Sequence, residues 1–319
     1  MNSKIFRLFA KAILLSMLVF ATPGCGEKAG VKDEAAPQGN SEAAQGPANR
    51  REASESVQEG VDSLSQNEAN EKRKEIMQEA IAAIQETRNA LAALDSNNTK
   101  GALNSLERAT GKLELILARD PNLALAPMDM SVSSYDVLTT LEDIKKLNKE
   151  IKRLIDAGEM QEARRIIANL RSEIVLSIVN IPLATYPQAI KAVSPLIDEG
   201  KIQEAKTALA NALSTLVVAD HIIPLPVVRA EEMLKKAEAL AEKIDRDVVG
   251  NDSLSTLLKN ARYQLQMAAA LGYGERKDYN AFYSQLDEIE KKTEKGKSGK
   301  GLFDDIKGSI SALRRKIFK

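Results

Sequence analysis

LIDAGEMQEAR (residues 154–164) and LIDEGKIQEAK (residues 196–206) are nearly the same phrase written twice in one chain. Each copy starts with apolar residues, passes through a glycine and continues into an alanine-bearing segment of strong helix formers. A glycine directly after a helix supplies the left-handed backbone conformation with which many helices end. The phrase therefore predicts the turn of a helical hairpin, and the chain uses this turn more than once.

A third copy of the unit becomes visible when the segments starting at Asp95, Asp156 and Asp198 are aligned. All three copies agree at an alanine, at two large apolar residues and at a closing proline. In chain order these positions are Ala102, Ala163 and Ala205, then Leu106, Ile167 and Leu209, then Leu113, Ile174 and Leu216, and finally Pro121, Pro182 and Pro224. The apolar positions recur at helical spacings, which places them on one helical face.

Each unit is interpreted as a helix, a tight turn, a second helix and a break. The turn uses Gly158 or Gly200, and Asn97 or Asn98 can adopt the same left-handed conformation in the first copy. The apolar run before each proline predicts a buried helix end, with a short strand as the alternative, since short apolar runs do not distinguish the two. We therefore expect a mainly α fold, with stacked helical hairpins in one domain and short β elements before the repeat prolines as the alternative.

The overall charge excludes one class of partner. The 45 basic and 45 acidic side chains cancel, so the chain as a whole carries no field of one sign for nucleic acid. The sequence has no Trp and is rich in Ala, Leu, Glu and Lys, a composition that favours helix. We expect no nucleic-acid partner.

The N-terminus has the pattern of an export signal. Lys4, Arg7 and Lys11 precede an apolar run over residues 12–21, which is shorter than the roughly 20 residues of a bilayer-spanning helix. The only cysteine, Cys25, follows this run and resembles the acylated cysteine of bacterial lipoproteins. The alternative is ordinary cleavage after the Val-Phe-Ala segment, which would leave a free thiol.

These features predict three segments. Residues 1–24 form a lipoprotein-like signal peptide, and residues 25–70 form a disordered tether with too few large apolar residues to offset the entropy cost of ordering. Residues 71–319 form the helical domain. The protein is therefore expected to be exported to the periplasm and anchored in a membrane through lipid on Cys25.

Residues 71–319 resemble the YfdX family. The resemblance is visible in ARRIIANLRSEIVLSIVNIPLATYPQAI (163–190) and NARYQLQMAAALGYGERKDYNAFYSQLDEI (260–289), and its most specific phrases are PLATYP (182–187) and ALGYG (270–274). It implies an exported, helix-rich, self-associating bacterial protein linked to acid and heat stress. It implies no chemical reaction, so no catalytic residue is carried over.

His221 is the only histidine, and an ordinary pKa near 6.5 would make it a pH sensor in an acid-exposed compartment. The alternative is an ordinary polar residue at a helix end before Pro224. One histidine without nearby carboxylate or thiol partners predicts no metal site, and it leaves no Ser-His-acid arrangement for catalysis. We expect no cofactor and no enzymatic activity.

Two glycine-bearing segments are interpreted as structural, because neither has the spacing or the preceding strand of a phosphate-binding loop. KGKSGKG (295–301) is predicted to be a hinge, and GYGERK (272–277) a helix terminator with Tyr273 packing back.

Residues 302–319 form a basic amphipathic helix that could dock on the protein core or lie on an anionic membrane. The tyrosines of residues 262–283, with Met267, could pack in the core or line a ligand pocket.

The sequence favours a non-enzymatic envelope stress-response protein that binds or protects other proteins under acid or heat stress. Its expected partners are copies of itself and other envelope proteins. The alternatives are a small-molecule-binding helical protein and a structural adaptor in the envelope.

Lipidation can be tested at the cysteine itself. Replacing Cys25 with Ser is expected to release the protein from the membrane fraction, because acyl chains supply membrane affinity in proportion to their buried methylene groups. Fractionation and the intact mass of both proteins are the measurements. Equal solubility of the two, with no acyl mass on the wild type, would show that the lipoprotein interpretation is wrong.

Overall fold

A computed structural model describes residues 47–243 and 245–317 of the chain. The predicted signal peptide, Cys25 and the first part of the predicted tether lie outside these residues. The elements up to the second strand are α1 (Pro47–Ser56), α2 (Gln58–Lys74), α3 (Gln78–Asp95), α4 (Thr99–Arg119), β1 (Leu125–Tyr135), α5 (Leu141–Asp156), α6 (Met160–Asn169) and β2 (Glu173–Pro182). They are followed by α7 (Tyr186–Lys191), α8 (Val193–Asp198), α9 (Ile202–Ser214), β3 (Val217–Pro224), α10 (Leu225–Ala241), α11 (Val248–Leu271), α12 (Arg276–Thr293) and α13 (Asp304–Ile317).

The predicted hairpins are confirmed as α3–α4, α5–α6 and α8–α9. Each turns through a residue with positive φ, namely Asn97 at 56°, Gly158 at 78° and Gly200 at 71°. In the first hairpin Asn98 has a different role, since its side chain accepts a hydrogen bond from the amide of Gly101 and caps α4. The fold is mainly α, as the sequence predicted.

Each hairpin is followed by a strand, and the three strands form an antiparallel sheet in the order β1-β2-β3. The expectation of helix before the repeat prolines is right at Pro121, where α4 continues to Arg119, and wrong at Pro182 and Pro224, which end β2 and β3. The physical reason is composition: the runs before the last two prolines are rich in Ile and Val, which pack well on a pleated, buried surface.

Two hydrophobic clusters meet at the sheet, and β2 contributes to both. Ile174 and Leu176 belong to a cluster with α2 and α10–α13, whereas Ile181 belongs to a cluster with α3, α4 and α7–α9. Because successive side chains of a strand point to opposite faces, β2 can serve both clusters at once.

The repeated positions are only partly equivalent. Ala102, Ala163 and Ala205 are all buried, which confirms the close helix contacts that small residues allow. Ile167 is 48% exposed, however, and Ile174 lies in β2, so the shared helical face predicted for the middle copy is wrong. The reason is that α6 ends at Asn169, before the copy's last repeated apolar position. In the third copy Leu216 also lies beyond the end of its helix, since α9 ends at Ser214.

The prediction of a disordered tether over residues 25–70 is wrong for residues 47–70, which belong to α1 and α2. Val57 and Val61 are buried in the cluster of α10–α13, and Leu64 packs against it. These three residues follow helical spacing, so one short apolar stripe suffices to bind a helix to an existing core. Averaging the composition over the whole segment concealed that stripe.

The C-terminal helix α13 docks on the protein. Phe303, Ile306, Ile310 and Leu313 are buried, and the helix packs against α10, α12 and β3. Of the two sequence interpretations for residues 302–319, docking on the core is the one that the structure displays.

The close helix contact at Ala205 can be tested within one helix. Replacing Ala205 with Phe is expected to lower the free energy of unfolding by about 1–3 kcal/mol, because overpacking a filled core displaces its neighbours. The matched control is Ala210→Phe, since Ala210 lies on the same helix and is exposed. Chemical denaturation of both variants is the measurement, and equal stability would contradict the packing described for α9.

Candidate functional site

A cleft of about 490 Å³ opens where α1, the loop over residues 136–140, the start of α10 and the middle of α11 come together. Its lining combines charged, hydroxyl-bearing and apolar side chains. The lining residues are Arg50, Arg51, Ser54, Glu55, Gln58, Asp136, Val137, Leu138, Thr139, Thr140, Ser172, Pro226, Arg229, Tyr263, Gln264 and Met267. A volume of this size falls within the roughly 300–1,000 Å³ of small-molecule sites.

An ion pair lies on one wall of the cleft. The guanidinium of Arg229 donates to both carboxylate oxygens of Asp136, at 3.2 Å and 2.6 Å. The buried Ser172 adds a third donor, since its hydroxyl binds the same carboxylate at 2.6 Å. Asp136 is therefore held in place by three hydrogen bonds from two neighbours.

The same wall continues into the interior through a tyrosine. The hydroxyl of Tyr273 accepts from the amide of Ser172 at 3.0 Å and donates to the carboxylate of Glu173 at 2.7 Å. Burial raises the pKa of the Tyr273 hydroxyl, so it remains a donor across the physiological pH range. Tyr273 thus joins the end of α11 to the start of β2.

The opposite wall is built by α1 and α11. The guanidinium of Arg50 lies 4.3 Å from the ring centroid of Tyr263, a distance typical of a cation–π contact. The side-chain amide of Gln264 donates to the hydroxyl of Ser54 at 3.1 Å. The hydroxyl of Tyr263 accepts from the amide of Leu141, which holds the start of α5 against α11.

The tyrosines of residues 262–283 divide between the two roles that the sequence left open. Tyr263 lines the cleft together with Met267. Tyr279 is buried in the core, with its ring centroid 5.9 Å from that of Phe282. The pocket alternative therefore applies to Tyr263, and the packing alternative to Tyr279.

Sequence reasoning missed the charged groups of the cleft. Asp136 and Arg229 are far apart in the chain and share no local motif, and Arg50 lies in the segment that was predicted to be disordered. One signal was present in the sequence. The apolar residues that follow Arg50 at helical spacing, Val57, Val61 and Leu64, indicated that this part of the chain is ordered.

Both glycine-bearing segments have structural roles. Gly272 ends α11 with a φ of 86°, as predicted for a helix terminator. The loop before α13 is held by Arg246, whose guanidinium donates to the carbonyl oxygens of Ala241, Thr293 and Lys297 at 2.8–2.9 Å. The bond to Lys297 attaches the segment over residues 295–301 to the protein, and its predicted flexibility stays a prediction.

His221 lies in the strand β3 and is half-buried, so its predicted position at a helix end is wrong. Burial lowers the pKa of its imidazole, and the nearby charges of Lys72 and Arg314 act in the same direction. Glu68 and Glu75 oppose them by raising the pKa. His221 therefore faces charged groups of both α2 and α13.

Within residues 47–243 and 245–317, no group of three or more His, Cys, Asp or Glu side chains is arranged to hold a metal ion. In the same part of the chain, no helix is long and apolar enough to cross a bilayer. Cys25 lies outside the described residues, so its lipidation stays a prediction.

The lowered pKa of His221 gives a stability prediction with a definite sign. As pH falls below the ordinary value of about 6.5, the unfolded chain binds a proton that the folded chain still excludes, so the folded state loses stability. The variant His221→Gln is expected to lose less stability than the wild type between pH 7.5 and 5. Chemical denaturation at both pH values is the measurement, and identical losses in the two proteins would contradict the assignment.

Comparison with known proteins gives one family. Residues 83–222, from within α3 to within β3, match the family model described as YfdX protein. A solved structure of Salmonella Typhi YfdX is similar to this chain at 14% sequence identity and a TM-score of 0.32. The match covers 47% of this chain and 93% of the Salmonella chain. Comparison with curated proteins found no match. Residues 83–222, which make up less than half of the chain, thus match the YfdX family that the sequence resembles.

Proposed function

We propose that this protein is a non-enzymatic binding protein of the bacterial envelope, which binds or protects other proteins under acid or heat stress. The observation that carries the proposal is the apolar surface of the α5–α6 hairpin. Its large side chains Ile155, Met160 and Ile167 are 44%, 51% and 48% exposed. We call these three residues the hairpin patch.

The hairpin is attached to the protein along one side only. Its contacts with other elements are mainly with α11, and Asn148 of α5 donates to the carbonyl oxygen of Ala270 at 2.7 Å. Ile144 and Leu154 are its buried large apolar residues. The rest of its apolar surface is therefore open to a partner.

The chemistry of the hairpin patch suits contacts of low selectivity. Met160 is flexible and polarisable, so it adapts to apolar side chains of different shape. The surrounding charges are paired along each helix, as in Lys152 with Asp156 and Arg165 with Glu162. An apolar patch with a neutralised rim attracts exposed apolar segments without choosing one sign of charge.

The location and the assembly belong to the same proposal. The export signal and Cys25 support a periplasmic, membrane-anchored protein that meets envelope proteins as clients. Self-association into a homo-oligomer is proposed from the family resemblance.

Protection of client proteins can be measured directly. Light scattering of an unrelated, heat-aggregating protein is recorded at pH 7 and pH 4.5, with and without this protein. The wild type is expected to suppress aggregation, and replacing Ile155, Met160 and Ile167 with Ser is expected to remove most of that effect.

The matched control replaces Val248 and Val249 with Ser, since these side chains are 76% and 71% exposed at the start of α11 and lie outside the hairpin. Thermal unfolding checks that each variant is folded. Absence of protection by the wild type, or an equal loss in the control, would refute the assignment to the hairpin patch.

A further inference from the structure

We propose that the cleft bounded by α1, α11, the loop over residues 136–140 and the start of α10 is a binding site for a small amphipathic anion, in which a carboxylate is attached to an aromatic or aliphatic body. This site is distinct from the hairpin patch and does not depend on client binding. The proposal stands on which polar groups of the cleft are already engaged and which remain open.

The carboxylates of the cleft are engaged. Asp136 binds Arg229 and Ser172, and Glu55 forms an ion pair with Arg51 at 3.1 Å. Each carboxylate is therefore already neutralised by an arginine. The cleft is unsuited to a cation.

The charged group of the cleft that has no ion-pair partner among the described residues is a donor, the guanidinium of Arg50. No carboxylate of a described residue lies within ion-pair distance of Arg50, whose guanidinium instead lies over the ring of Tyr263. The Nε of Arg229 is buried and has no hydrogen-bond partner among the described residues. An acceptor beside Arg50 would gain a charge-assisted hydrogen bond from its guanidinium.

The net charge of the lining agrees with this assignment. Three arginines face two carboxylates, and the two ion pairs leave the charge of Arg50 uncompensated. A carboxylate is a planar acceptor that matches the planar donor set of a guanidinium. An anionic head group would therefore complement the uncompensated charge of Arg50.

The rest of the cleft is apolar and suits a hydrocarbon body. Met267, Pro226, Val137 and the ring of Tyr263 supply apolar surface beside the arginines. Small-molecule sites commonly combine such a wall with a few placed polar groups. An aromatic or medium-chain carboxylate satisfies both parts of the cleft.

One wall of the site is the helix α1, which contributes Arg50 and Ser54. This helix is joined to the rest of the protein by few contacts, chiefly with α11 and α2. A ligand that bridges α1 and α11 should therefore slow hydrogen exchange of the α1 backbone. This readout reports on the site without any assumption about a reaction.

The experiment uses the full chain and a matched pair of probes, 2-naphthoate and the neutral 2-naphthamide, in isothermal titration calorimetry. We expect one saturable site for naphthoate, with affinity at least about tenfold higher than for the amide, as a charge-assisted hydrogen bond would provide. Arg50→Gln should remove that advantage. Arg73→Gln removes the same charge from an exposed position of α2 and should behave as the wild type.

The triple Ser variant of the hairpin patch separates this proposal from the proposed function. It should bind naphthoate as the wild type does, and naphthoate should protect the amides of residues 47–56 from exchange in both proteins. The proposal is overturned by equal affinity for the two probes, by unchanged naphthoate binding in Arg50→Gln, or by loss of naphthoate binding in the triple variant. Thermal unfolding of Arg50→Gln confirms that the variant is folded before its affinity is compared.

Discussion

The hydrogen bonding of β2 to strands on both of its sides is the constraint on which the rest of the structure depends. Its register with β1 and β3 fixes which side chains face each hydrophobic cluster, so that Ile174 and Leu176 serve one cluster and Ile181 the other. A slip by one residue would exchange these faces, because side chains alternate along a strand. The same strand begins at Glu173, directly after Ser172, and so also fixes one wall of the cleft.

The second half of the site depends on the helices that precede the YfdX region. The arm of α1 and α2 is held by buried valines, and Arg314 of α13 donates to Glu68 of α2 at 2.8 Å and to Glu231 of α10 at 3.2 Å. These ion pairs are partly buried, so solvent screens them less than exposed pairs. The two ends of the described chain thus stabilise each other, and the position of Arg50 in the cleft depends on that contact.

Local features of the fold could be predicted from the sequence, and features that need distant partners could not. The hairpin turns were readable because Gly158 and Gly200 act through their own backbone conformation. The strands β2 and β3 were predicted only as the alternative to helix, since the period of a short apolar run does not distinguish the two. The pairing of Asp136 with Arg229 was not readable either, because no spacing rule connects residues that meet only in the folded chain.

The cleft is linked to the α5–α6 hairpin by the loop over residues 136–140, which lines the cleft and leads directly into the first turn of α5. Within this link, Asp136 is fixed by Arg229, and the amide of Leu141 is fixed by Tyr263. A ligand in the cleft would contact the loop between these two fixed points and would restrain α5 at its first turn. Because α5 is attached chiefly to α11, a restraint there changes how freely the hairpin can move. A ligand in the proposed site would therefore act on the first turn of α5, whereas the hairpin patch begins at Ile155, near the other end of that helix.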